Sequence, residues 1–404
     1  MDADDLLAGQ MAVCPSCNEN FIVPVSCPNC TTTKTRKIFL SKKYVCSLCG
    51  ARFNPTEKKG QCTAIPENDI QSNEAGPVEK GLPISSPSDD SETIKFYLRR
   101  AEQGDADAQC RIGITYYYGE GITQDYNKAA KWFLKAAEQG HIGGQSELGI
   151  CYSTGRGVAP NSKIAVKWLS MAAERGDAPA QRTLGVCYTF GHGVAKDYSE
   201  AFKWMQEAAE KGLINAQTLL GTFYAKGQGV PQDYHEANVW LHKAAEQGDA
   251  PAQTMLAVHY ELGQGVAENF EEAANWYRQA AEQGYAPAQC GLGNACWHGR
   301  GVQQDDIEAV KWFSEAANQG YAFAQFLLGR CYFLGRGVPP NRSESLKWLL
   351  LAGLQGNVEA ASMAPFCVVS LTPEQTTECN KRAAEFVPKT NVFEEKRSIS
   401  NHAC

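Results

Sequence analysis

Glycine, glutamine and tryptophan recur along this chain at intervals of 36 residues, and the repeat covers most of its length. The glycine column consists of Gly104, Gly140, Gly176, Gly212, Gly248, Gly284, Gly320 and Gly356. Gln109 and Trp132 open two further columns with the same step, each of seven residues. A fixed period of this length is typical of stacked units, each of which is unable to bury its apolar face alone. The sequence therefore predicts seven full repeats over residues 104–355.

Within each repeat, the spacing of apolar residues predicts two helices, so we expect an all-α fold for the repeats. The first (helix A) covers about the fourth to the fifteenth position, as in Asp107 to Tyr118, and a Gly-x-Gly pair follows it. Glycine permits a positive φ in such a tight connection. An Asp or Asn then supplies the N-cap of the second helix (helix B). In five repeats Glu stands three residues after that cap, which predicts a capping box.

Glycine also recurs in the middle of helix A, as Gly113 does in the first repeat. A mid-helix glycine costs about 1 kcal/mol relative to alanine, so we expect helix B to pack too close to tolerate a side chain there. Helix B carries the tryptophan column and a pair of alanines, such as Trp132 with Ala136 and Ala137. Because a tryptophan buries about 150–250 Å², we expect this column to form the main core.

The regions outside the seven repeats differ in composition. Residues 1–53 are rich in cysteine, and residues 54–91 are rich in Pro, Ser, Glu, Asp and Asn, which predicts a flexible linker. An uncovered end repeat exposes its apolar face, so we expect end caps that extend the helical solenoid to residues 92–386. We expect residues 387–404 to form a disordered tail.

Six cysteines form three Cys-x-x-Cys pairs in the N-terminal zone. Two such pairs separated by fifteen residues match the spacing of a zinc ribbon, in which four thiolates hold one tetrahedral zinc ion. We therefore expect Cys27, Cys30, Cys46 and Cys49 to bind zinc, with Cys14 and Cys17 as an alternative pair. The chain is also basic between residues 31 and 60, so nucleic-acid binding by this small module is an alternative role.

The repeat as a whole resembles the Sel-1-like repeat, a relative of the tetratricopeptide repeat. In the unit that begins at Gly212, the resemblance is carried by Ala216, Gln217, Leu220, Gly221, Tyr224, Gly227, Gly229, Val230, Asp233, Ala237, Trp240, Ala244 and Ala245. The resemblance covers about residues 92–362. It implies a right-handed superhelical α-solenoid of helix-turn-helix repeats and a role as an adaptor or scaffold, without indicating a particular partner.

Some cysteine-rich secreted members of that family carry disulfides within each repeat, and penicillin binding has been attributed to them. A penicillin-binding or β-lactamase-like enzyme is therefore an alternative function. All repeat cysteines of this chain, however, lie in helix A, with none in helix B to pair with: Cys110, Cys151, Cys187, Cys290, Cys296 and Cys331. We therefore expect free thiols that act as small apolar side chains.

One face of helix A carries many apolar residues at positions 8, 11 and 15, counted from the glycine that opens each repeat. Such a face is unusual unless another molecule covers it, so we expect a groove that binds a peptide or protein. The candidate residues are Ile114, Tyr118, Ile150, Val186, Phe190, Leu219, Met255, Val258, Leu262, Asn294, His298 and Arg330. The alternative is that these residues pack between neighbouring A helices. The polar members near the C-terminal end indicate a partner of mixed character.

Charge and missing motifs restrict the function further. A formal net charge of −7 argues against nucleic-acid binding by the whole chain. No apolar run approaches the roughly 18 residues needed to span a bilayer, and residues 1–10 lack the features of a signal peptide. No phosphate-binding loop, nucleophile elbow or zinc-protease motif occurs. We therefore expect a cytoplasmic protein that is not an enzyme, with a protein or peptide as its partner and no membrane or small-molecule ligand.

Overall fold

The computed structural model describes residues 91–389 together with four short strand segments in the N-terminal zone. Strand β1 (Met11–Val13) pairs antiparallel with β2 (Asn20–Ile22). Strand β3 (Tyr44–Val45) pairs antiparallel with β4 (Arg52–Phe53). The predicted zinc ligands and residues 390–404 of the predicted tail lie outside the described residues.

Within residues 91–389 the chain forms seventeen α-helices. They are α1 (Ser91–Glu102), α2 (Ala106–Tyr118), α3 (Tyr126–Glu138), α4 (Ile142–Thr154), α5 (Ser162–Ala173), α6 (Ala178–Phe190), α7 (Tyr198–Glu210), α8 (Ile214–Lys226), α9 (Tyr234–Ala245), α10 (Ala250–Leu262), α11 (Phe270–Glu282), α12 (Ala286–His298), α13 (Asp306–Asn318), α14 (Ala322–Leu334), α15 (Arg342–Leu354), α16 (Val358–Val368) and α17 (Pro373–Ala384). The even-numbered helices from α2 to α14 are the A helices, and the odd-numbered helices from α3 to α15 are the B helices. The predicted helical repeats are therefore confirmed.

The chain divides into two compact units, one of residues 39–211 and the other of residues 1–38 and 212–404. Within each unit, an A helix packs most extensively on the B helix of its own repeat and next on the B helix of the preceding repeat. Within its unit, each A helix from α4 to α14 except α8 is thus covered on two sides by B helices, and α2 is covered by α1 and α3. This stacking explains why the small residues of helix A are buried. Only the part of each A helix that the B helices leave uncovered can make other contacts.

The ends of the helices follow the predicted capping residues. Asp305, for example, accepts hydrogen bonds from the backbone N–H groups of Ile307 and Glu308 at 2.9 and 3.0 Å and so caps α13. Each A helix of the seven repeats ends at a glycine in the left-handed conformation, such as Gly299 with a φ of 67°. Glycine adopts this conformation without the steric cost that a side chain would add.

Only one half of each capping box predicted for the B helices forms. The N-cap side chain accepts from the helix backbone, but the glutamate side chain does not bond back to the N-cap residue. The backbone N–H of Asp305 donates to the carbonyl oxygen of Cys296 in the preceding A helix at 3.0 Å, so it does not need a glutamate side chain as its acceptor. The equivalent bond forms in all seven repeats, including the first, where Lys128 replaces the glutamate. Asp125 still caps that helix, because its carboxylate accepts from the N–H of Lys128 at 3.0 Å.

The core of each repeat centres on the residue that follows the tryptophan. Phe133 is fully buried, and its ring lies 2.5 Å from the place that a Cβ on Gly113 would occupy. The mid-helix glycines are therefore confirmed as points where helix B approaches helix A too closely for a side chain. The buried column consists of Phe133, Leu169, Met205, Leu241, Tyr277, Phe313 and Leu349.

The tryptophans are half-buried in all repeats except the last, so the prediction that they form the main core is wrong. Trp168 packs against the buried cluster that contains Tyr117 and Phe133 of the preceding repeat. Lysine side chains lie over several of the indole rings, as Lys243 does over Trp240 at 3.7 Å from the ring centroid. The tryptophan column therefore fills the space between successive repeats of a unit, and its outer side faces solvent.

The C-terminal end of the repeats is covered by α17, which packs on α15. The capping box predicted at its start is confirmed, because Thr372 and Gln375 each bond the backbone N–H of the other. After this helix the chain remains ordered through Lys389, whose N–H donates to the carbonyl oxygen of Asn318 at 2.8 Å. The tail that was predicted to begin at residue 387 therefore begins with three residues that are fixed against the end of α13.

Candidate functional site

The candidate residues of the A helices divide by burial, and the largest group packs against the core. The side chains that are partly buried in this way are those of Ile114, Tyr118, Ile150, Met255 and Val258. Val186 and Leu219 are also half-buried. For these side chains, packing within the helical stack, which was the alternative to a groove, accounts for much of their apolar surface.

Position 15 of the repeat behaves differently, because its side chain stays exposed at the last residue of most A helices. Phe190, Leu262 and Leu334 occupy this position and retain 45%, 60% and 56% of their surface. The ring of Phe190 stacks on the imidazole of His192, with 5.7 Å between the ring centroids. We call the exposed residues at position 15 the end row. Large apolar side chains that recur there make the end row the strongest candidate for a binding surface.

Three polar candidates, Asn294, His298 and Arg330, line one small cavity between α12, α13 and α14. The other walls of the cavity are Trp297, Phe313 and Leu327. Its volume is about 20 Å³, which is room for roughly one water molecule. The structure thus brings together polar residues that the sequence placed 4 and 36 positions apart.

The surroundings of His298 are electropositive. Burial lowers the pKa of this imidazole, and nearby guanidinium groups lower it further. Two of these groups are paired: Arg300 with Glu261 at 3.3 Å, and Arg336 with Asp306, its Nε donating to Oδ2 at 2.8 Å. Both effects favour the neutral imidazole, which can act as a hydrogen-bond donor or acceptor without adding a charge.

Arg300 and Arg336 were not among the predicted site residues. Both occupy the middle of a Gly-x-Gly pair, where Arg156 stands in the second repeat. Arg156 donates to the hydroxyl of Tyr117 at 2.6 Å, and Arg336 lies over the ring of Trp297 at 3.9 Å. The residue between the two glycines thus contacts the end of the preceding A helix. Arginine at this place was the sequence signal that could have identified them.

Residues 91–389 contain little that could bind a metal ion or act as a nucleophile. No group of three or more His, Cys, Asp or Glu side chains in that range is arranged to hold a metal ion. The eight cysteines there are buried free thiols, as expected for those in the repeats. Burial raises the pKa of Cys110 and Cys290 to about 12, so both thiols stay protonated and are poor nucleophiles. None of the helices in that range is long and apolar enough to cross a membrane.

Known proteins that resemble this chain share its repeats. The family described as Sel1 repeat matches residues 106–141, 143–177, 178–213, 214–249, 250–285, 286–321 and 322–357. The structure of a protective antigen of uropathogenic Escherichia coli strains, which displays an SLR fold, is 32% identical; the match covers 72% of this chain and 71% of that chain, with a TM-score of 0.53. A Sel1 repeat protein from Oxalobacter formigenes is 35% identical over 68% of this chain and 80% of that chain, with a TM-score of 0.56. No curated protein matches the chain.

Proposed function

Because this chain belongs to the Sel1 repeat family, we propose that it is a scaffold that binds a protein or peptide partner along the end row. The observation that carries the proposal is the exposure of Leu262 and Leu334 at one repeated position of the unit that contains residues 212–404. Apolar side chains that recur in register within one unit lose contact with water together when one extended partner covers them. Phe190 is exposed at the same repeat position of the other unit.

The same surface argues for a macromolecular partner and against a small-molecule substrate. Pockets for small molecules usually enclose about 300–1,000 Å³, whereas the cavity beside His298 has a volume of about 20 Å³. The Sel1 repeat solenoid is a non-enzymatic scaffold fold, and the similar structures belong to an antigen and to a repeat protein. The chain is accordingly not an enzyme.

A pair of charge substitutions tests the end row. Leu262→Asp and Leu334→Asp each place a carboxylate on an exposed position, so both variants should keep the melting temperature of the parent chain. Both should lose partners that the parent chain captures from a lysate of its own cells. Ile307→Asp is the matched control, because Ile307 is an apolar residue of a B helix that is 73% exposed. Capture that is equally weakened by Ile307→Asp, or unaffected by both test variants, would refute the proposal.

We also propose that the N-terminal zone binds zinc. Residues 14–19 connect β1 to β2, and residues 46–51 connect β3 to β4. Each connection therefore has six residues, and cysteine occupies its first and fourth places in both. Thiolates at i and i+3 between two short strands can hold one tetrahedral zinc ion together with a second such turn. The matching hairpins support a zinc ribbon of the kind that the sequence predicts.

The spacing of the cysteines offers two choices of ligands. The first is Cys27, Cys30, Cys46 and Cys49, and the alternative has Cys14 and Cys17 in place of one of these pairs. Elemental analysis of the full chain should find zinc, with Cys27→Ser losing it and Cys14→Ser retaining it. The reverse result assigns the site to Cys14 and Cys17, and a chain free of zinc contradicts the module altogether.

A cytoplasmic location is the third part of the proposal. The eight cysteines between residues 91 and 389 are all free, and free thiols are usual in reducing compartments. Thiol labelling of the denatured protein taken directly from cells should therefore find all sixteen cysteines of the sequence reactive after zinc is removed. Disulfide-linked cysteines in that experiment would place the protein in an oxidising compartment.

A further inference from the structure

Two polar side chains on neighbouring A helices have no polar partner in the described chain. Asn294 on α12 and Arg330 on α14 stand at the same repeat position and both line the cavity beside His298. Within residues 91–389, neither side chain makes a hydrogen bond or an ion pair; the guanidinium of Arg330 lies 6.0 Å from the centroid of the Phe326 ring. Their donors are therefore available to a ligand at the surface.

The charges around the cavity are unbalanced in one direction. Glu261 pairs with Arg300, and Asp306 pairs with Arg336, so each of those arginines has its own counter-charge. Arg330 has none among the described residues. A carboxylate is the group that would complete this arrangement, since guanidinium bonds to carboxylate are stronger than bonds between neutral groups.

Apolar residues of the end row stand on both sides of His298. Leu262 ends α10, His298 ends α12 and Leu334 ends α14, at the same position of three successive repeats. The two leucines are 60% and 56% exposed. A ligand that reaches the cavity with a carboxylate would therefore meet an apolar side chain in each direction along the end row.

We propose that this part of the end row binds an extended peptide through an internal acidic residue, with an apolar residue on each side of it. Arg330 and Asn294 donate to the carboxylate, His298 lies beside it, and Leu262 and Leu334 contact the flanking residues. The inference rests on the proposed function and adds to it the chemical character of the partner.

The spacing of the A helices sets the spacing in the peptide. Packed helices stand about 8–10 Å apart, so the two leucines are separated by roughly 20 Å across α12. A peptide in the extended polyproline II conformation rises about 3.1 Å per residue with three residues per turn. Six residues therefore span roughly that length, and side chains three positions apart point to the same side. The apolar residues are therefore expected three positions before and three positions after the acidic residue.

A set of heptapeptides tests the inference with the full chain. The probe is acetylated and amidated Leu-Ser-Ser-Glu-Ser-Ser-Leu, and calorimetric titration measures its affinity. The version with Gln in place of Glu should bind at least about tenfold more weakly, because it loses the charge-assisted bonds. The version with Ala in place of both Leu residues should also bind more weakly. Equal affinity of the Glu and Gln peptides, or no binding by the probe, overturns the inference.

Variants of the protein locate the contact. Arg330→Gln should reduce affinity for the Glu peptide to that of the Gln peptide, while Lys381→Gln, which removes an exposed positive charge of α17 outside the end row, should leave it unchanged. Loss of binding in both variants would indicate a general charge effect and overturn the assignment. Nuclear magnetic resonance of His298 adds a readout that a structural role would not move, because a bound carboxylate should raise the pKa of its imidazole.

Two outcomes separate this inference from the proposed function. If Leu262→Asp abolishes capture of the cellular partner while Arg330→Gln leaves it intact, the end row is a binding surface and the acidic anchor is wrong. If a peptide that ends in a free carboxylate after its apolar residue binds more tightly than the capped probe, the site recognises a chain terminus and the internal position of the acid is wrong.

Discussion

The side-chain Nε2 of Gln325 donates a hydrogen bond to the carbonyl oxygen of Ala317 at 3.1 Å, which joins α14 to the B helix of the preceding repeat. The Oε1 of the same side chain accepts from Nε2 of Gln355, in its own repeat, at 2.8 Å. Gln289 makes the equivalent pair of bonds with Ala281 and Gln319. The glutamine column is therefore a structural link between repeats and is not a binding site.

Replacing Gln325 by Leu should destabilise the chain by about 1–2 kcal/mol, because it removes the bonds of a buried amide to the Ala317 carbonyl and to Gln355, which keep only their bonds to the Gly320 N–H and the Leu351 carbonyl. Denaturant unfolding measures the loss. Gln303→Leu is the control, since Gln303 is exposed on the connection between α12 and α13. A similar loss from both variants would show that the hydrogen bonds of Gln325 are not its source.

The second glycine of the Gly-x-Gly pair provides a sharper test of how the repeats stack. A Cβ on Gly301, where φ is +67°, would lie 1.9 Å from the carbonyl oxygen of Phe270 in the preceding B helix. Gly301→Ala should therefore force the repeats apart and cost more than about 3 kcal/mol. Gly248 has a φ of +88° and nothing within 4 Å of the added Cβ, so Gly248→Ala should cost only the backbone strain of about 1–2 kcal/mol.

Comparing the two melting temperatures isolates the clash, because both alanines adopt a left-handed backbone. Equal losses would mean that the loop moves freely away from Phe270. In that case the contact between successive repeats would deform more easily than the structure indicates.

Two adjacent residues of α13 should respond very differently to truncation. Phe313 is fully buried and lies against Gly293, so Phe313→Ala should cost about 3–5 kcal/mol. Trp312 is half-buried, and its indole N–H donates to Glu308 at 3.3 Å; Trp312→Ala should cost about 1–2 kcal/mol. Calorimetry of the two variants gives the comparison directly, and a greater loss for Trp312→Ala would restore the tryptophan column as the core.

The error about the tryptophans shows where the sequence stops being informative. Trp312 and Phe313 differ by about 100° around the helix, and both belong to a broad apolar stripe. Which one faces Gly293 depends on how far helix B is rotated, and that rotation is set by packing on two A helices at once. The period of 36 residues, the N-caps and the glycine contacts were predictable, because each follows from local geometry or from a column of identical residues.

The candidate residues of helix A could be named from the sequence, but the burial of each one could not. Ile150 and Phe190 are equally apolar, yet only Phe190 is exposed. Position 11 faces the neighbouring A helix, whereas position 15 lies at the helix end, beyond the side chains of that neighbour. The packing of Ile150 against the core of the next repeat decides the difference, and no local pattern encodes that packing.

Glu147 on α4 carries the clearest pH dependence. Burial and, as the smaller cause, the charge of Asp177 together raise the pKa of its carboxyl from 4.5 to about 7. Because the folded pKa lies above the unfolded one, the unfolded state releases its proton first as the pH rises. The loss of folding stability that ionisation of Glu147 causes is therefore absent below about pH 4.5, grows between pH 4.5 and 7, and is complete above pH 7.

Glu147→Gln should remove this effect by keeping a neutral side chain of the same shape at every pH. The variant should match the parent chain near pH 4.5 and be more stable by about 1–2 kcal/mol at pH 8, which allows for the solvent that still reaches the half-buried carboxyl. Thermal unfolding at several pH values gives the difference curve. Glu138→Gln, an exposed change on α3, should alter stability little, and a constant gain for Glu147→Gln across the whole range would contradict the assignment to its ionisation.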